Sequence, residues 1–133
     1  MIDIFFILTV ALLFGGMVLY SFGFAAFVFS ALPAEVAGPL LRKAFPHFYA
    51  FVAVTALVAA GLAGPSKVLA ASLLLLIALT TVFTRQLLMP AINRATDTQA
   101  KTRFKVLHTF SVLITLAHIG TAGFLLAQSV SSA

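Results

Sequence analysis

Four long apolar runs, separated by short segments that carry most of the charge, constrain the fold of this chain more than any other feature. The runs cover about residues 4–32, 46–63, 68–89 and 104–128. A helix of about 20 mostly apolar residues crosses the ~30 Å hydrocarbon core of a bilayer. The sequence therefore predicts an all-α protein, an integral membrane four-helix bundle that forms one domain over residues 1–133.

The composition excludes most other classes of protein. Of the 133 residues, 62% are hydrophobic and 8% are charged, whereas roughly 25% of a soluble domain is charged. Too few polar side chains remain to cover a soluble globular enzyme or to form a disordered tail or a nucleic-acid-binding module. The chain has no cysteine, which excludes a disulfide framework, a thiolate metal site and a cysteine nucleophile. The expected partner is the lipid bilayer, and nucleic acid is not expected.

Charge and proline positions set the expected helix ends. The first run follows a single charge, that of Asp3, and exceeds the core of a signal peptide, so we expect a retained membrane helix. Because proline interrupts helices, all five prolines are expected at or outside the span ends. These are Pro33, Pro39, Pro46, Pro65 and Pro90. Residues 33–45 are accordingly expected to form a loop on the membrane surface. The third helix is expected to continue past Pro90, with Asp97 or Thr98 as the N-cap of the fourth.

The basic residues predict the orientation in the membrane. Lys67 lies in the turn between the second and third runs, whereas the other basic residues flank the two remaining connections. These are Arg42, Lys43, Arg85, Arg94, Lys101, Arg103 and Lys105. The excess of Lys and Arg marks the cytoplasmic side. We expect a multi-pass protein of the bacterial inner membrane with both termini outside the cytoplasm. The sequence leaves open whether it forms a homo-oligomer or joins a larger membrane complex.

Small residues predict close packing of the first two helices. Gly16, Gly23 and Ser30 recur at a heptad interval in the first run, and Ala56, Ala60 and Gly64 recur every four residues in the second. Small side chains let helix backbones approach closely within lipid.

The fourth run carries a polar stripe on an otherwise apolar helix. At about 100° per residue, the stripe falls within an arc of roughly 80° and is expected to face the bundle interior, since unsatisfied polar groups are costly in hydrocarbon. It consists of His108, Ser111, Thr115, His118 and Ala122.

Three nitrogen-bearing side chains are expected at one membrane level near the basic side. They are His47 in the second run, Arg85 in the third and His108 in the fourth. Facing imidazoles can ligate haem iron, copper or zinc, and His47 with His108 is the candidate metal pair. His108 and His118 are about 15 Å apart along one helix and cannot share an ion. The alternative is that the histidines only hold helices together and that Arg85 extends to the headgroups.

Catalytic and transport signatures are missing from the runs. The three acidic residues lie outside the apolar runs, and no carboxylate pair, phosphate loop or nucleophile motif occurs. Three interpretations remain open. The first is a small non-catalytic protein that binds a metal ion, haem or another hydrophobic ligand at the His47, Arg85 and His108 cluster. The second is a structural or accessory subunit, and the third is an exporter or channel with the polar stripe lining a wet path.

Three segments carry a resemblance to a known family. PLLRKAFPHFYAF, TRQLLMPAINRATD and FKVLHTFSVLIT resemble the transmembrane-protein-205-like family, whose bacterial members form a domain of unknown function, over roughly residues 12–126. The matching features are Phe45-Pro46, Arg85, Pro90 and the Leu107, His108 and Ser111 pattern, while Thr115 replaces an asparagine common in the family. The resemblance implies a four-helix membrane protein without an established activity. More distantly, the architecture is similar to CopD-type and HemJ-type membrane proteins, which are associated with copper and haem handling.

Overall fold

Four long helices make up nearly all of the molecule. The computed structural model describes residues 1–132, and this range contains helices and no strand. The helices are α1 (Ile2–Ala31), α2 (Ala34–Ala63), α3 (Val68–Asp97) and α4 (Lys101–Ser131). Each has 30 or 31 residues and is therefore about 45 Å long, which exceeds the ~30 Å hydrocarbon core. The prediction of an all-α fold with four helices able to span a membrane is confirmed.

The helices alternate in direction and form a ring in chain order. α1 packs on α2 and α4, and α3 packs on α2 and α4, whereas α2 and α4 lie diagonally and hardly touch. Two ion pairs mark the two ends of the bundle. Asp3 meets Lys67 at one end, and Arg42 meets Asp97 at the other. The end with Arg42 also carries the unpaired basic residues of the α2, α3 and α4 termini, and we call it the basic end.

The main core consists of one face from each helix. On α1 the buried positions are Phe6, Val10, Leu13 and Met17, spaced three or four residues apart as a single helical face requires. On α2 the buried residues are mostly small, which lets α3 approach closely. They include Ala56, Ala59, Ala60 and Ala63. The predicted approach of α1 and α2 is found at Gly16, which lies against Phe51, whereas Gly23 and Ser30 are exposed.

The expectation of a surface loop over residues 33–45 is wrong, because α2 begins at Ala34. Pro39 and Pro46 lie inside α2, although each removes one backbone hydrogen bond. Tertiary burial compensates for this loss. Ala37 and Leu41 form a second small core with Val28 of α1 near the basic end.

Pro90 is also inside a helix, in the last third of α3. The five residues Thr84–Leu88 before it form a wider π-helical turn. Such a turn relieves the clash between a proline ring and the carbonyl four residues earlier. A second π-helical segment, Leu19–Phe24, interrupts α1. The expected continuation of α3 past Pro90 is confirmed.

Asp97 and Thr98 do not cap α4, whose N-cap is Ala100. Asp97 is the last residue of α3, and its carboxylate is held by Arg42 of α2. The Arg42 Nη1 and Nη2 atoms donate to the two Asp97 oxygens at 2.8 and 3.0 Å. Gln99, with a φ of 57°, turns the chain between the helices. The Asp97 carboxylate therefore binds a cation on another helix and does not cap α4.

Candidate functional site

A groove of about 420 Å³ lies between α1 and α2, towards the basic end. It is open along one side and is not an enclosed cavity. Its lining is aromatic and aliphatic except for one imidazole and the Tyr20 hydroxyl. The lining residues are Gly16, Leu19, Tyr20, Phe24, His47, Phe48 and Phe51. This volume lies within the range of about 300–1,000 Å³ that is usual for small-ligand sites.

The irregular turn of α1 forms one wall of the groove. The π-helical segment Leu19–Phe24 supplies Leu19, Tyr20 and Phe24 and has no fully buried residue. The Tyr20 ring stacks on Phe48 of α2, with centroids 4.7 Å apart and planes 17° apart. π-Helical turns add a residue to a helix and occur frequently at functional sites. Here the π-helical segment lies along the opening.

Gly16 of α1 has no side chain and so leaves room for Phe51 of α2. A Cβ atom at Gly16 would be 2.7 and 2.8 Å from the Cε2 and Cζ atoms of Phe51. Carbon atoms normally approach to about 3.5–4.0 Å. Only glycine at position 16 therefore lets the Phe51 ring lie where it does.

The cationic side chains of α2 divide between two faces of the helix. Arg42 faces α3 through Asp97, and Arg85 of α3 donates from Nε to the Pro46 carbonyl at 3.0 Å. The guanidinium of Arg42 lowers the pKa of the Asp97 carboxyl through their hydrogen bonds. His47 faces the groove on the α1 side. Position 43, one turn before His47, shares its face.

The predicted cluster of His47, Arg85 and His108 is only partly brought together. Arg85 of α3 contacts the carbonyl of Pro46, the residue before His47. The side chains of Arg85 and His47 are both exposed, and they lie on opposite sides of α2, towards α3 and towards the groove. His108 lies on α4, the diagonal helix, where its ring stacks on Phe104 with centroids 5.4 Å apart. The structure places each of the three residues on a separate surface.

The donor set does not fit a metal ion or haem held jointly by His47 and His108. A shared ion needs imidazole nitrogens about 2 Å away, and His47 and His108 are on helices that hardly touch. Within residues 1–132, no group of three His, Asp or Glu side chains comes close enough to hold a metal. We therefore derive no chemistry through either group.

The polar stripe of α4 faces inward apart from its first member. Ser111 and Ala122 are buried, Thr115 and His118 are half-buried, and His108 is exposed. Nε2 of His118 lies 2.6 Å from the Thr80 hydroxyl of α3. The stripe therefore contributes to the α3–α4 contact.

The hydrogen bonds of Thr80 indicate which of the two partners donates. The Thr80 hydroxyl lies 2.8 Å from the Leu76 carbonyl and can give its single proton to that oxygen. In that arrangement the nitrogen of His118 donates to Thr80 Oγ1, which requires a proton on Nε2. A polar pair across two helices is satisfied in this way without a ligand.

None of the motifs in the sequence predicts the groove. Its α2 wall belongs to a dense aromatic cluster around Pro46 that is visible in the sequence, and Phe48 and Phe51 of this cluster line the groove. Its α1 wall depends on the π-helical turn, for which no sequence signal was recognised.

Comparison with known proteins adds a family. The sequence model of the family described as a domain of unknown function, DUF4149, matches residues 8–101. The chain belongs to this family. No curated protein and no solved structure matches it. The matched region contains every residue of the groove, whereas His108, Ser111, Thr115 and His118 lie beyond it. The family and the four apolar helices describe a membrane protein whose activity is not established.

Proposed function

We propose that this protein binds a membrane amphiphile in the groove between α1 and α2. The observation that supports the proposal is the lining, in which aromatic and aliphatic side chains surround an opening of about 420 Å³ and His47 supplies an imidazole. An apolar chain fits against Gly16, Leu19 and Phe51, with the polar part of the molecule beside His47. Binding needs no catalytic group, in agreement with the non-catalytic interpretation of the sequence.

The ligand proposed here is hydrophobic, and it is not a metal ion or haem shared by His47 and His108. His47 is separated from His108. In the polar stripe of α4, His118 is hydrogen-bonded to Thr80. The grouping with transmembrane-protein-205-like proteins forms part of the proposal. One of the motifs on which it rests, Phe45-Pro46, lies beside the groove, where the Phe45 ring contacts Tyr20 and Phe48.

Tyrosine fluorescence tests the proposal, because the chain has no tryptophan and two tyrosines. Tyr20 lines the groove, whereas Tyr49 is buried behind Phe48 and does not line it. In a Tyr49→Phe variant reconstituted in vesicles, lipids with brominated chains should quench Tyr20 more than their mole fraction in the membrane predicts. The matched control is Tyr20→Phe, in which the remaining Tyr49 should show no such excess.

Filling the groove provides the second arm of the experiment. Gly16→Leu places a side chain into the groove, whereas Gly15→Leu adds the same side chain where no atom lies within 4 Å of the new Cβ. Excess quenching of Tyr20 should disappear in the first variant and persist in the second. Quenching of wild-type Tyr20 that simply follows lipid mole fraction would refute the proposal even if Gly16→Leu did not fold.

We also propose that the basic end faces the cytoplasm of a bacterial cell, with both termini on the other side of the inner membrane. The support is the concentration of Lys and Arg at that end. Since the chain has no cysteine, Thr98→Cys and Ser132→Cys each introduce one thiol, at the basic and opposite ends. A membrane-impermeant maleimide applied to intact spheroplasts should label Ser132→Cys only. Labelling of Thr98→Cys before permeabilisation would reverse the orientation.

A further inference from the structure

We infer that the groove selects an anionic amphiphile, whose phosphate-type head lies against Lys43 and His47. This inference rests on the proposed function and adds the chemical class of the ligand. Three observations support it: the apolar tail of a ligand gains little free energy in the groove, the cations of α2 lie on two faces, and the side chains along the groove have a definite order.

The apolar chain of the ligand cannot provide selectivity. Lipid tails are as apolar as the side chains that line the groove, so moving a chain from the bilayer to the groove gains little hydrophobic free energy. Any preference for one amphiphile must therefore come from groups that contact its head. In the groove and on the adjacent turn of α2, these groups are the Tyr20 hydroxyl, the imidazole of His47 and the ammonium of Lys43, and of the three only Lys43 carries a permanent positive charge.

Lys43 is available for an anion because it has no acidic partner, whereas the neighbouring Arg42 is paired. Arg42 is held by both oxygens of Asp97 on the α3 side of α2. Within residues 1–132 the ion pairs are Arg42 with Asp97 and Lys67 with Asp3, and neither involves Lys43. Lys43 is exposed on the face that His47 occupies one turn later. A positive charge without an acidic partner therefore lies on the same face of α2, one turn from the imidazole.

The side chains on this face of α2 follow the order of an amphiphile. Phe51 lies deepest from the basic end, His47 is one turn closer to that end, and Lys43 is one turn closer still. The apolar, polar and cationic groups thus match a chain, its head region and an anionic oxygen. Arg85 adds positive charge at the level of Pro46, although its Nε and Nη1 atoms are bound to the Pro46 carbonyl and to Gln86.

The test compares two lipids with identical brominated chains, phosphatidylglycerol and phosphatidylcholine, in vesicles that contain the Tyr49→Phe protein. Phosphatidylglycerol should quench Tyr20 at a lower mole fraction than phosphatidylcholine. Lys43→Gln should reduce this preference about five-fold, as expected for one basic residue near an anionic lipid. The matched control is Lys105→Gln, which removes another exposed lysine at the basic end, on the diagonal helix. Inorganic phosphate alone should not displace the lipid.

The outcomes separate this inference from the proposed function. Equal quenching by both lipids, with loss of both signals in Gly16→Leu, would overturn the anionic selectivity and leave the groove proposal intact. An equal effect of Lys43→Gln and Lys105→Gln would show general surface charge and would also overturn it. Displacement by inorganic phosphate would also overturn the inference, because the site would then bind the free ion and not the head of a lipid. No excess quenching by either lipid would overturn both proposals.

Discussion

Replacing Gly16 with alanine tests the close approach of α1 and α2 that shapes the groove. The new Cβ would lie 2.7 Å from Phe51 Cε2 and 2.8 Å from Cζ, so the ring must move by roughly 1 Å to regain an ordinary contact. Overpacking of this kind costs about 1–3 kcal/mol. Alanine gains about 0.5–1 kcal/mol over glycine within a helix. The net expectation is a loss of about 1 kcal/mol in the free energy of unfolding, since the half-buried ring can move in part towards the groove.

The neighbouring glycine isolates the steric term. Gly15 is exposed, and a Cβ there would meet no atom within 4 Å. Gly15→Ala therefore receives the same gain in helix propensity without the clash with Phe51. The difference in unfolding free energy between Gly15→Ala and Gly16→Ala should equal the overpacking cost of about 1–3 kcal/mol. Equilibrium unfolding in mixed micelles, followed by circular dichroism, measures this difference. Equal stability of the two variants would refute the contact between Gly16 and Phe51.

Three further predictions concern the rest of the bundle. Arg42→Gln should raise the lowered pKa of Asp97 towards its ordinary value of 3.8. The ion pair stabilises the fold above this pH and loses its effect as the pH falls through the lowered pKa. Carbon NMR of the Asp97 carboxyl in both proteins measures the shift, and an unchanged pKa would show that the pair does not form. His118→Leu should change stability by only about 0.6 kcal/mol, the average for an interhelical hydrogen bond in lipid, and an unfolded product in micelles would contradict this. Ala59→Leu, at a fully buried position of α2, should cost about 1–3 kcal/mol by overpacking, whereas Val58→Leu on the exposed side should be nearly neutral in the same unfolding assay.

The polar stripe shows how far periodicity leads towards function. Its spacing predicted an inward face, and burial of Ser111 and Ala122 agrees with that prediction. Spacing alone could not show that His118 meets Thr80, because the partner is 38 residues away and depends on the packing of α3 against α4. The same limit applies to His47 and His108. Their depth along the helices can be counted, but their separation depends on which helices are diagonal.

The prolines of α2 show a second limit. Pro39 and Pro46 were expected to lie at or outside a helix end, which is the local preference of proline. The structure keeps both within α2, where Ala37 and Leu41 pack on Val28. Burial between distant segments can outweigh a local backbone preference, and this term is not visible in the residues that flank a proline.

The sequence by itself determined that this is an all-helical protein with four helices able to span a membrane, since hydropathy is a sum over consecutive residues and the bilayer fixes the length required. It also determined which end of the bundle is basic. Only the tertiary structure decided that His47 faces a groove with Tyr20 and Phe51, that Arg42 binds Asp97, and that His108 is separated from both. These contacts depend on the rotation and ring order of packed helices, which are set by small residues such as Gly16 and by the π-helical turns through contacts between distant parts of the chain.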